Sequence, residues 1–140
     1  MKVKMLVLCT GNSCRSQMAE GLIRSLNNRT DVYSAGTRPE VKINPFAVEV
    51  MKEIGLDISS QYPKNADEFT AIDFDYVVTV CDNAKEVCPV FTGNVKKRLH
   101  IGFEDPANAA GIDEEIRNVY RKVRDEIKVA FNELLKKENI

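Results

Sequence analysis

Residues 3–16 read VKMLVLCTGNSCRS, and they decide the fold of the chain. The part at 3–8 is almost continuously apolar, which predicts a fully buried strand of a parallel sheet. A polar turn around Gly11 ends this strand. Apolar residues then recur with helical spacing at positions 18, 19, 22, 23 and 26. The first unit is therefore predicted to be a strand, a loop and a helix.

The same alternation continues along the chain. It predicts a short strand over 31–35, a helix between Pro45 and Gly55, a strand over 75–80, an exposed edge strand over 95–101 and an amphipathic helix over 113–137. Strands that alternate with helices indicate an α/β fold with a parallel sheet and right-handed crossovers. We expect a single domain over residues 1–140, because this length is typical of one hydrophobic core.

The composition limits the classes of function. The chain has 20 basic and 21 acidic residues and a net charge of -1, so no long-range positive field recruits nucleic acid or a membrane surface. The apolar run at the N-terminus is too short for a signal peptide or a membrane span. We therefore expect a cytoplasmic protein whose four cysteines are catalytic, redox-active, metal-binding or simply buried, rather than structural disulfides.

The loop after the first strand carries a cysteine, five further residues and an arginine. In a turn of this kind the main-chain amides can point inward and form a nest for a tetrahedral oxyanion, reinforced by the helix N-terminus. Arg15 is predicted to grip two oxygens of that anion with its planar guanidinium. The predicted anion-binding residues are Thr10, Gly11, Asn12, Ser13, Cys14, Arg15 and Ser16.

Cys9 is the candidate nucleophile, because it lies at the carboxyl end of a buried strand, where open parallel sheets bind their ligands. The donors that hold the anion also stabilise a thiolate, so we expect the pKa of Cys9 to lie below the free-cysteine value of about 8.5. Ser16 is a further candidate donor to this thiolate. The alternative interpretation of Cys9 is a buried cysteine beside a turn, without a catalytic role. Cys14 has no distinct role and is predicted to be a small buried hydrophobe.

Several motifs carry a family resemblance. The motifs that resemble the low-molecular-weight protein tyrosine phosphatase superfamily are residues 9–16, Glu20-Gly21, residues 33–37 and Asp105-Pro106. Those that resemble the thioredoxin-coupled arsenate reductases of that superfamily are residues 9–21, 44–45, 51–53 and 57–59. The resemblance covers nearly the whole chain. It implies a four-stranded parallel sheet with strand order 2-1-3-4 and flanking helices.

The segment 80–89, VCDNAKEVCP, resembles the redox segment of those reductases. The resemblance implies that arsenate forms a covalent adduct with Cys9. Cys81 would attack this adduct, release arsenite and leave a Cys9–Cys81 disulfide. Cys88 would then displace Cys9, and thioredoxin would reduce the resulting Cys81–Cys88 disulfide. A helix through this segment would hold the two sulfurs roughly 10 Å apart, so the segment must loop out or unwind when oxidised. The alternative is a pair of unrelated buried cysteines.

Asp105 precedes Pro106 in a loop that matches the general-acid loop of the family. The match implies that the carboxyl of Asp105 protonates the leaving oxygen as Cys9 attacks. Glu104 is the competing candidate for the acid. Phosphatases of this fold usually have a tyrosine at the position of Ala107, so an aryl phosphate is disfavoured as the substrate.

Some reductases of this family hold a potassium ion through residues that match Asn12, Glu20 and Ser34. Lys64 stands where a further carboxylate ligand is expected. We therefore expect the ammonium of Lys64 to pair with Glu20, and no metal or other cofactor to bind. A zinc site is disfavoured because the cysteine spacing is not that of a zinc knuckle and His100, expected on the surface or an edge strand, stands alone.

Three candidate functions remain, and each belongs to a different class. The first is an arsenate reductase, and the second is a phosphatase for phosphotyrosine or small phosphoesters, for which the loop and Asp105 suffice. The third is a non-catalytic thiol module that binds arsenite or senses oxidants, which the intact loop and its acid disfavour. A glutaredoxin or a low-molecular-weight thiol could replace thioredoxin as the electron donor. Size and family favour a monomer.

Overall fold

The computed structural model describes residues 2–82, 85–87 and 89–140. Its strands are β1 (Val3–Cys9), β2 (Thr30–Gly36), β3 (Phe74–Thr79) and β4 (Val95–His100). Its α-helices are α1 (Arg15–Leu26), α2 (Pro45–Lys52) and α3 (Asp113–Lys137). Two 3-10 helices, Ala66–Phe69 and Pro106–Asn108, are too short to produce a periodic pattern and are missing from the sequence prediction. Each begins at a capping side chain, from Asn65 and Asp105 respectively.

The strands form one parallel sheet in the order β2-β1-β3-β4. The predicted α/β class and strand order are both confirmed. Cys9 at the end of β1 is paired with Gly36 at the end of β2, and Leu8 is paired with Thr79 at the end of β3. The carboxyl ends of these three strands therefore share one edge, and the loops that follow them emerge side by side.

Alternate residues of β1 face opposite sides of the sheet, and both sides are covered. Met5 and Val7 belong to the larger core, which includes residues of all three α-helices. Leu6 and Leu8 pack in a smaller core on the opposite face. All four side chains are fully buried. Each contributes about 1.5–3 kcal/mol by leaving water, so β1 is a firmly held support for the loop that follows it.

The predicted apolar stripe of α3 is confirmed, because its members Tyr120, Val123, Ile127 and Phe131 are all buried. The opposite face of the helix is charged. Among the described residues, no helix is long and apolar enough to cross a membrane.

The predicted edge strand is also confirmed, since β4 lies at one end of the sheet and exposes its basic residues. The ammonium of Lys97 lies 2.9 Å from a carboxylate oxygen of Glu138, just beyond the end of α3. Nδ1 of His100 lies 2.7 Å from the hydroxyl of Thr79 on the neighbouring strand. His100 is thus an edge-strand residue, as the sequence predicts.

Candidate active site

Three carbonyl groups of the loop between β1 and α1 are bound by protein amides. They accept hydrogen bonds from main-chain amides of a neighbouring segment, in the pairs Thr10–Arg38 (3.0 Å), Gly11–Glu40 (2.9 Å) and Ser13–Asn44 (3.0 Å). Within a trans peptide group the C=O and the following N–H point in opposite directions, so the amides that follow these three carbonyls point away from that segment. This backbone arrangement is compatible with the predicted oxyanion nest.

Gly36 allows β2 to end directly against this loop. A Cβ atom at this position would lie 2.2 Å from the carbonyl oxygen of Thr10, so a side chain would push the loop away. The sequence indicates Gly36 only as the end of a strand. Its close contact with the loop depends on the strand pairing.

The buried side chain of Asn12 stabilises the loop through several hydrogen bonds. Asn12 has a φ of 52°, a left-handed conformation that asparagine adopts more readily than most residues. Its Nδ2 donates to the hydroxyls of Ser16 (2.7 Å) and Ser34 (3.0 Å). Its Oδ1 accepts from Nε2 of Gln17 (3.0 Å) and from the backbone amide of Lys64 (2.9 Å). The side chain of Asn12 therefore fixes the shape of the loop.

The predicted site residues largely meet in one cleft of about 840 Å³. The lining includes Cys9, Thr10, Gly11, Asn12, Ser13, Cys14, Arg15, Asp105 and Ala107. Ser16 is not part of this lining, and its fully buried hydroxyl accepts a hydrogen bond from Asn12. The proposed contact of Ser16 with the Cys9 thiolate stays a prediction.

Arg15 is placed at the start of α1, with 4% of its side chain exposed. Its Nη1 donates to the carbonyl of Phe103 (3.1 Å), and its Nη2 lies 3.5 Å from Oδ2 of Asp105. The loop that holds the candidate acid and the loop that holds the candidate nucleophile are thus joined through one guanidinium. The predicted contact of this guanidinium with two oxygens of an anion stays a prediction.

The Nη1 and Nη2 groups of Arg15 both bind the carboxylate of Glu86, to which the sequence pattern assigns no role. Nη2 of Arg15 donates to Oε1 of Glu86 (2.9 Å), and Nη1 contacts Oε2. The hydrogen bond to Arg15 is the main reason that the pKa of Glu86 is lowered. The contact joins residues 71 positions apart, so no local sequence pattern could have indicated it.

The expected low pKa of Cys9 is wrong for this state of the protein. Burial, which disfavours the thiolate, raises the pKa of Cys9 to about 11 despite the lowering effects of Arg15 and the Thr10 amide. The negative charges of Glu86 and Asp105 raise it further. Arg15 and the amide of Thr10 do lower the pKa of Cys9, but burial outweighs both of them.

Cys14 is a buried free thiol, 4% exposed, at the N-terminus of α1. Its sulfur lies 3.6 Å from the hydroxyl of Tyr120 on α3 and 3.6 Å from that of Ser13. Burial raises the pKa of Cys14. The predicted packing role agrees with these contacts, although Cys14 also lines the cleft.

Cys81 follows β3 and is fully buried. The amide of the preceding Val80 donates to the carbonyl of Leu8 (3.1 Å), which anchors the end of β3 beside β1. Cys81 takes part in a disulfide bond, whereas Cys9 and Cys14 carry free thiols. Cys88 lies outside the described residues.

The two candidate acids, Asp105 and Glu104, have different surroundings in the structure. Asp105 lines the cleft, and its Oδ1 accepts from the amide of Ala107 (3.0 Å). Glu104 instead pairs with Lys122 on α3 (3.0 Å), and 42% of its side chain is exposed. This arrangement favours Asp105 as the acid. Ala107, where the family resemblance implies a tyrosine in phosphatases, lines the same cleft.

The predicted ion pair behind the loop is present. Nζ of Lys64 lies 3.7 Å from Oε1 of Glu20, which also accepts from the hydroxyl of Ser34 (2.8 Å). Arg24 binds the other oxygen of Glu20 at 2.7 Å. Burial lowers the pKa of Lys64, and Glu20 opposes that shift. With two cations on this carboxylate, the residues do not fit a potassium ion. Within the described ranges, no cluster of three or more His, Cys, Asp or Glu side chains could hold a metal.

Comparison with known proteins agrees with this geometry. A family model described as low molecular weight phosphotyrosine protein phosphatase matches residues 4–139. An arsenate reductase of Halalkalibacterium halodurans is 54% identical over 121 residues, which are 86% of this chain and 86% of that protein.

Solved structures agree as well. An arsenate reductase in the phosphate binding state is similar with a TM-score of 0.79 and 33% identity, over 98% of both chains. A thioredoxin-dependent arsenate reductase of Corynebacterium glutamicum is similar with a TM-score of 0.63 and 25% identity, over 97% of this chain and 63% of that one. The chain therefore belongs to the low molecular weight phosphotyrosine protein phosphatase family and, within it, to the arsenate reductases.

Proposed function

We propose that this chain reduces arsenate to arsenite in the cleft between the loop after β1 and the loop of Asp105. One observation carries the proposal: a free thiol at Cys9, the guanidinium of Arg15 and the carboxyl of Asp105 meet in this cleft. The 54% identity to an arsenate reductase supports it. The similar structure in a phosphate binding state supports a tetrahedral oxyanion as the ligand.

The first step joins sulfur to arsenic without a change of oxidation state. The Cys9 thiolate attacks the arsenic atom of arsenate, so an S–As bond forms and an As–O bond breaks. Asp105 gives its proton to the departing oxygen, which leaves as water. Arg15 binds two of the remaining oxygens and holds the arsenic in line with the sulfur.

The second step transfers two electrons to arsenic. The thiolate of Cys81 attacks the sulfur of Cys9, so an S–S bond forms and the S–As bond breaks. The electron pair of that bond stays with arsenic, which leaves as arsenite. The products are As(III) and a Cys9–Cys81 disulfide. The end of β3 lies beside the end of β1, which supports Cys81 as the attacking thiol.

The third step carries the oxidation away from Cys9. Cys88, the other cysteine of the redox segment, attacks the sulfur of Cys81 and displaces the Cys9 thiolate, which forms a Cys81–Cys88 disulfide. Thioredoxin, a dithiol, then reduces this disulfide by the same exchange and becomes oxidised itself. The thioredoxin-dependent neighbour supports this donor. The exposed side chains of Val87 and Val90 offer a partner protein apolar contacts in this segment.

A paired assay tests the proposal against the phosphatase alternative. Reduced wild-type protein and Cys81→Ser are compared in arsenate-dependent NADPH oxidation with thioredoxin and thioredoxin reductase, and in hydrolysis of p-nitrophenyl phosphate. We expect wild type to oxidise NADPH and Cys81→Ser to lose that activity while it keeps any weak hydrolysis, because water can resolve a phosphocysteine. Efficient hydrolysis by both proteins, with no arsenate-dependent NADPH oxidation, would favour the phosphatase.

A further inference from the structure

The carboxylate of Glu86 occupies the part of Arg15 that an oxyanion would use. It makes the two-point contact with Nη1 and Nη2 that guanidinium groups form with carboxylates and with tetrahedral anions alike. Arg15 is buried, with 4% of its side chain exposed, and its position is fixed by the carbonyl of Phe103. The same two N–H groups therefore cannot serve Glu86 and an oxyanion at once.

Two hydrogen bonds with Asp82, the residue after Cys81, hold Glu86 in this place. Oε2 of Glu86 accepts from the backbone amide of Asp82 (2.9 Å), and the amide of Glu86 donates to the carbonyl of Asp82 (2.9 Å). The carboxylate is thus fixed both by Asp82 and by Arg15. Since Cys81 is in a disulfide in this state, the contact belongs to an oxidised form of the protein.

The charge of Glu86 also acts on the nucleophile. Its pKa is lowered, chiefly by the hydrogen bond with Arg15, so Glu86 is an anion at neutral pH. That anion is one of the charges that raise the pKa of Cys9. Glu86 therefore opposes both components of the first step, the oxyanion on Arg15 and the thiolate on Cys9.

We propose that Glu86 is an affinity-determining residue of the active site, whose carboxylate competes with the oxyanion substrate for Arg15 while Cys81 is in its disulfide. The inference rests on the proposed function in taking the loop at 9–16 as the oxyanion site. Its consequence is that the oxidised enzyme, which has no thiol at Cys81 to complete the reaction, binds arsenate weakly. Removal of the competing anion restores affinity in the oxidised form.

Binding of inorganic phosphate to the oxidised protein tests this directly, because phosphate is a tetrahedral oxyanion that thiols do not reduce. Isothermal titration calorimetry compares wild type, Glu86→Gln and Glu86→Ala. Glu86→Gln keeps an oxygen for the amide of Asp82 but removes the charge. Thermal unfolding checks that each variant is folded. Glu40→Gln is the matched control, since Glu40 also lines the cleft but its carboxylate forms no ion pair with Arg15 in the described structure.

We expect Glu86→Gln and Glu86→Ala to bind phosphate at least about 10-fold more tightly than oxidised wild type, within the range of typical coupling between two ligands of one site. Glu40→Gln should change the affinity by less than about threefold, because an exposed charge is screened. Equal affinities of folded Glu86→Gln and wild type, or an equal gain in Glu40→Gln, would overturn the proposal. Arsenate reduction by reduced wild type is measured separately, so failure of the proposed function is distinguished from failure of this inference.

Discussion

Oδ2 of Asp105 lies 3.5 Å from Nη2 of Arg15. This distance places the proposed proton donor beside the group that is proposed to bind the oxyanion, so a proton from Asp105 has a short path to an oxygen held by Arg15. The other oxygen of Asp105 is fixed by the amide of Ala107, which orients the carboxyl towards the cleft.

Replacement of Asp105 by asparagine is therefore expected to slow formation of the Cys9 adduct by about 10² to 10⁴, the usual contribution of a general acid. Phosphate affinity of the reduced protein should change little, because the proton is needed only in the transition state. Rapid-quench mass spectrometry measures the first step. Glu104→Gln is the control and should react at the wild-type rate, since Glu104 pairs with Lys122 outside the cleft. Equal losses of binding and rate in Asp105→Asn would instead indicate a structural role.

Arg15→Lys keeps the charge but loses the planar two-point contact. We expect phosphate to protect Cys9 of the reduced variant from alkylation with an affinity lower by about 10- to 100-fold, the equivalent of one charge-assisted hydrogen bond. Arg38→Lys is the control, because Arg38 lines the cleft with an exposed side chain. Wild-type protection and turnover in Arg15→Lys would contradict the role given to the guanidinium.

Asn12→Ala should destabilise the protein by about 2–4 kcal/mol, because buried hydrogen-bond partners on Ser16, Ser34 and Gln17 lose their contacts. Asn139→Ala is a matched control, since Asn139 also has a positive φ, of 57°, but is exposed near the C-terminus. It should cost about 1 kcal/mol or less, the backbone contribution alone. Chemical denaturation measures both. Similar losses in the two variants would show that the side-chain contacts of Asn12 contribute little.

The pH dependence of Cys9 alkylation follows from its raised pKa. In the oxidised protein the pKa of Cys9 is about 11, so the thiol is protonated at neutral pH and only a small fraction is the reactive thiolate. The rate with iodoacetamide should rise about tenfold per pH unit and level off only near the pKa. Glu86→Gln should move this profile to lower pH, because it removes a charge that raises the pKa and releases Arg15. Both proteins carry Cys14→Ser in this experiment, so that the measured alkylation is that of the Cys9 thiol. An unchanged profile would contradict the effect of Glu86 on Cys9.

The elements that the sequence predicts are those in which burial gives the apolar residues a regular spacing. The apolar run of β1 and the stripe of Tyr120, Val123 and Ile127 on α3 are such cases. The strand order was expected from family resemblance, because periodicity indicates which side chains are buried but not which strands are neighbours. The 3-10 helix at Pro106–Asn108 was not predicted, because a single turn is too short to show a periodic pattern.

The same limit applies to the candidate site. Cys9 and Arg15 are close in the sequence, and their spacing indicates an oxyanion loop. Glu86 contacts Arg15 across a separation of 71 residues, which no local pattern encodes. The raised pKa of Cys9 follows mainly from burial, with smaller contributions from the charges of Glu86 and Asp105, and the spacing of Cys9 and Arg15 encodes neither effect.

The proposed relay predicts a different blocked state for each cysteine variant, because each thiol acts after the one before it. Cys9→Ser should neither reduce arsenate nor hydrolyse a phosphate ester, since both reactions begin at this sulfur. Cys81→Ser should stop before arsenite is released. Cys14→Ser should continue to turn over, because its contacts with Tyr120 and Ser13 indicate packing.

Cys88→Ser gives the most direct test of the central claim, that oxidation passes from Cys9 through Cys81. The reduced variant is treated with arsenate, and its disulfides are mapped by mass spectrometry of the digested protein, with arsenite measured in parallel. The proposed relay predicts release of about one equivalent of arsenite and a disulfide between Cys9 and Cys81, because no further thiol removes the oxidation. Repeated turnover with thioredoxin by both Cys88→Ser and Cys81→Ser would contradict it.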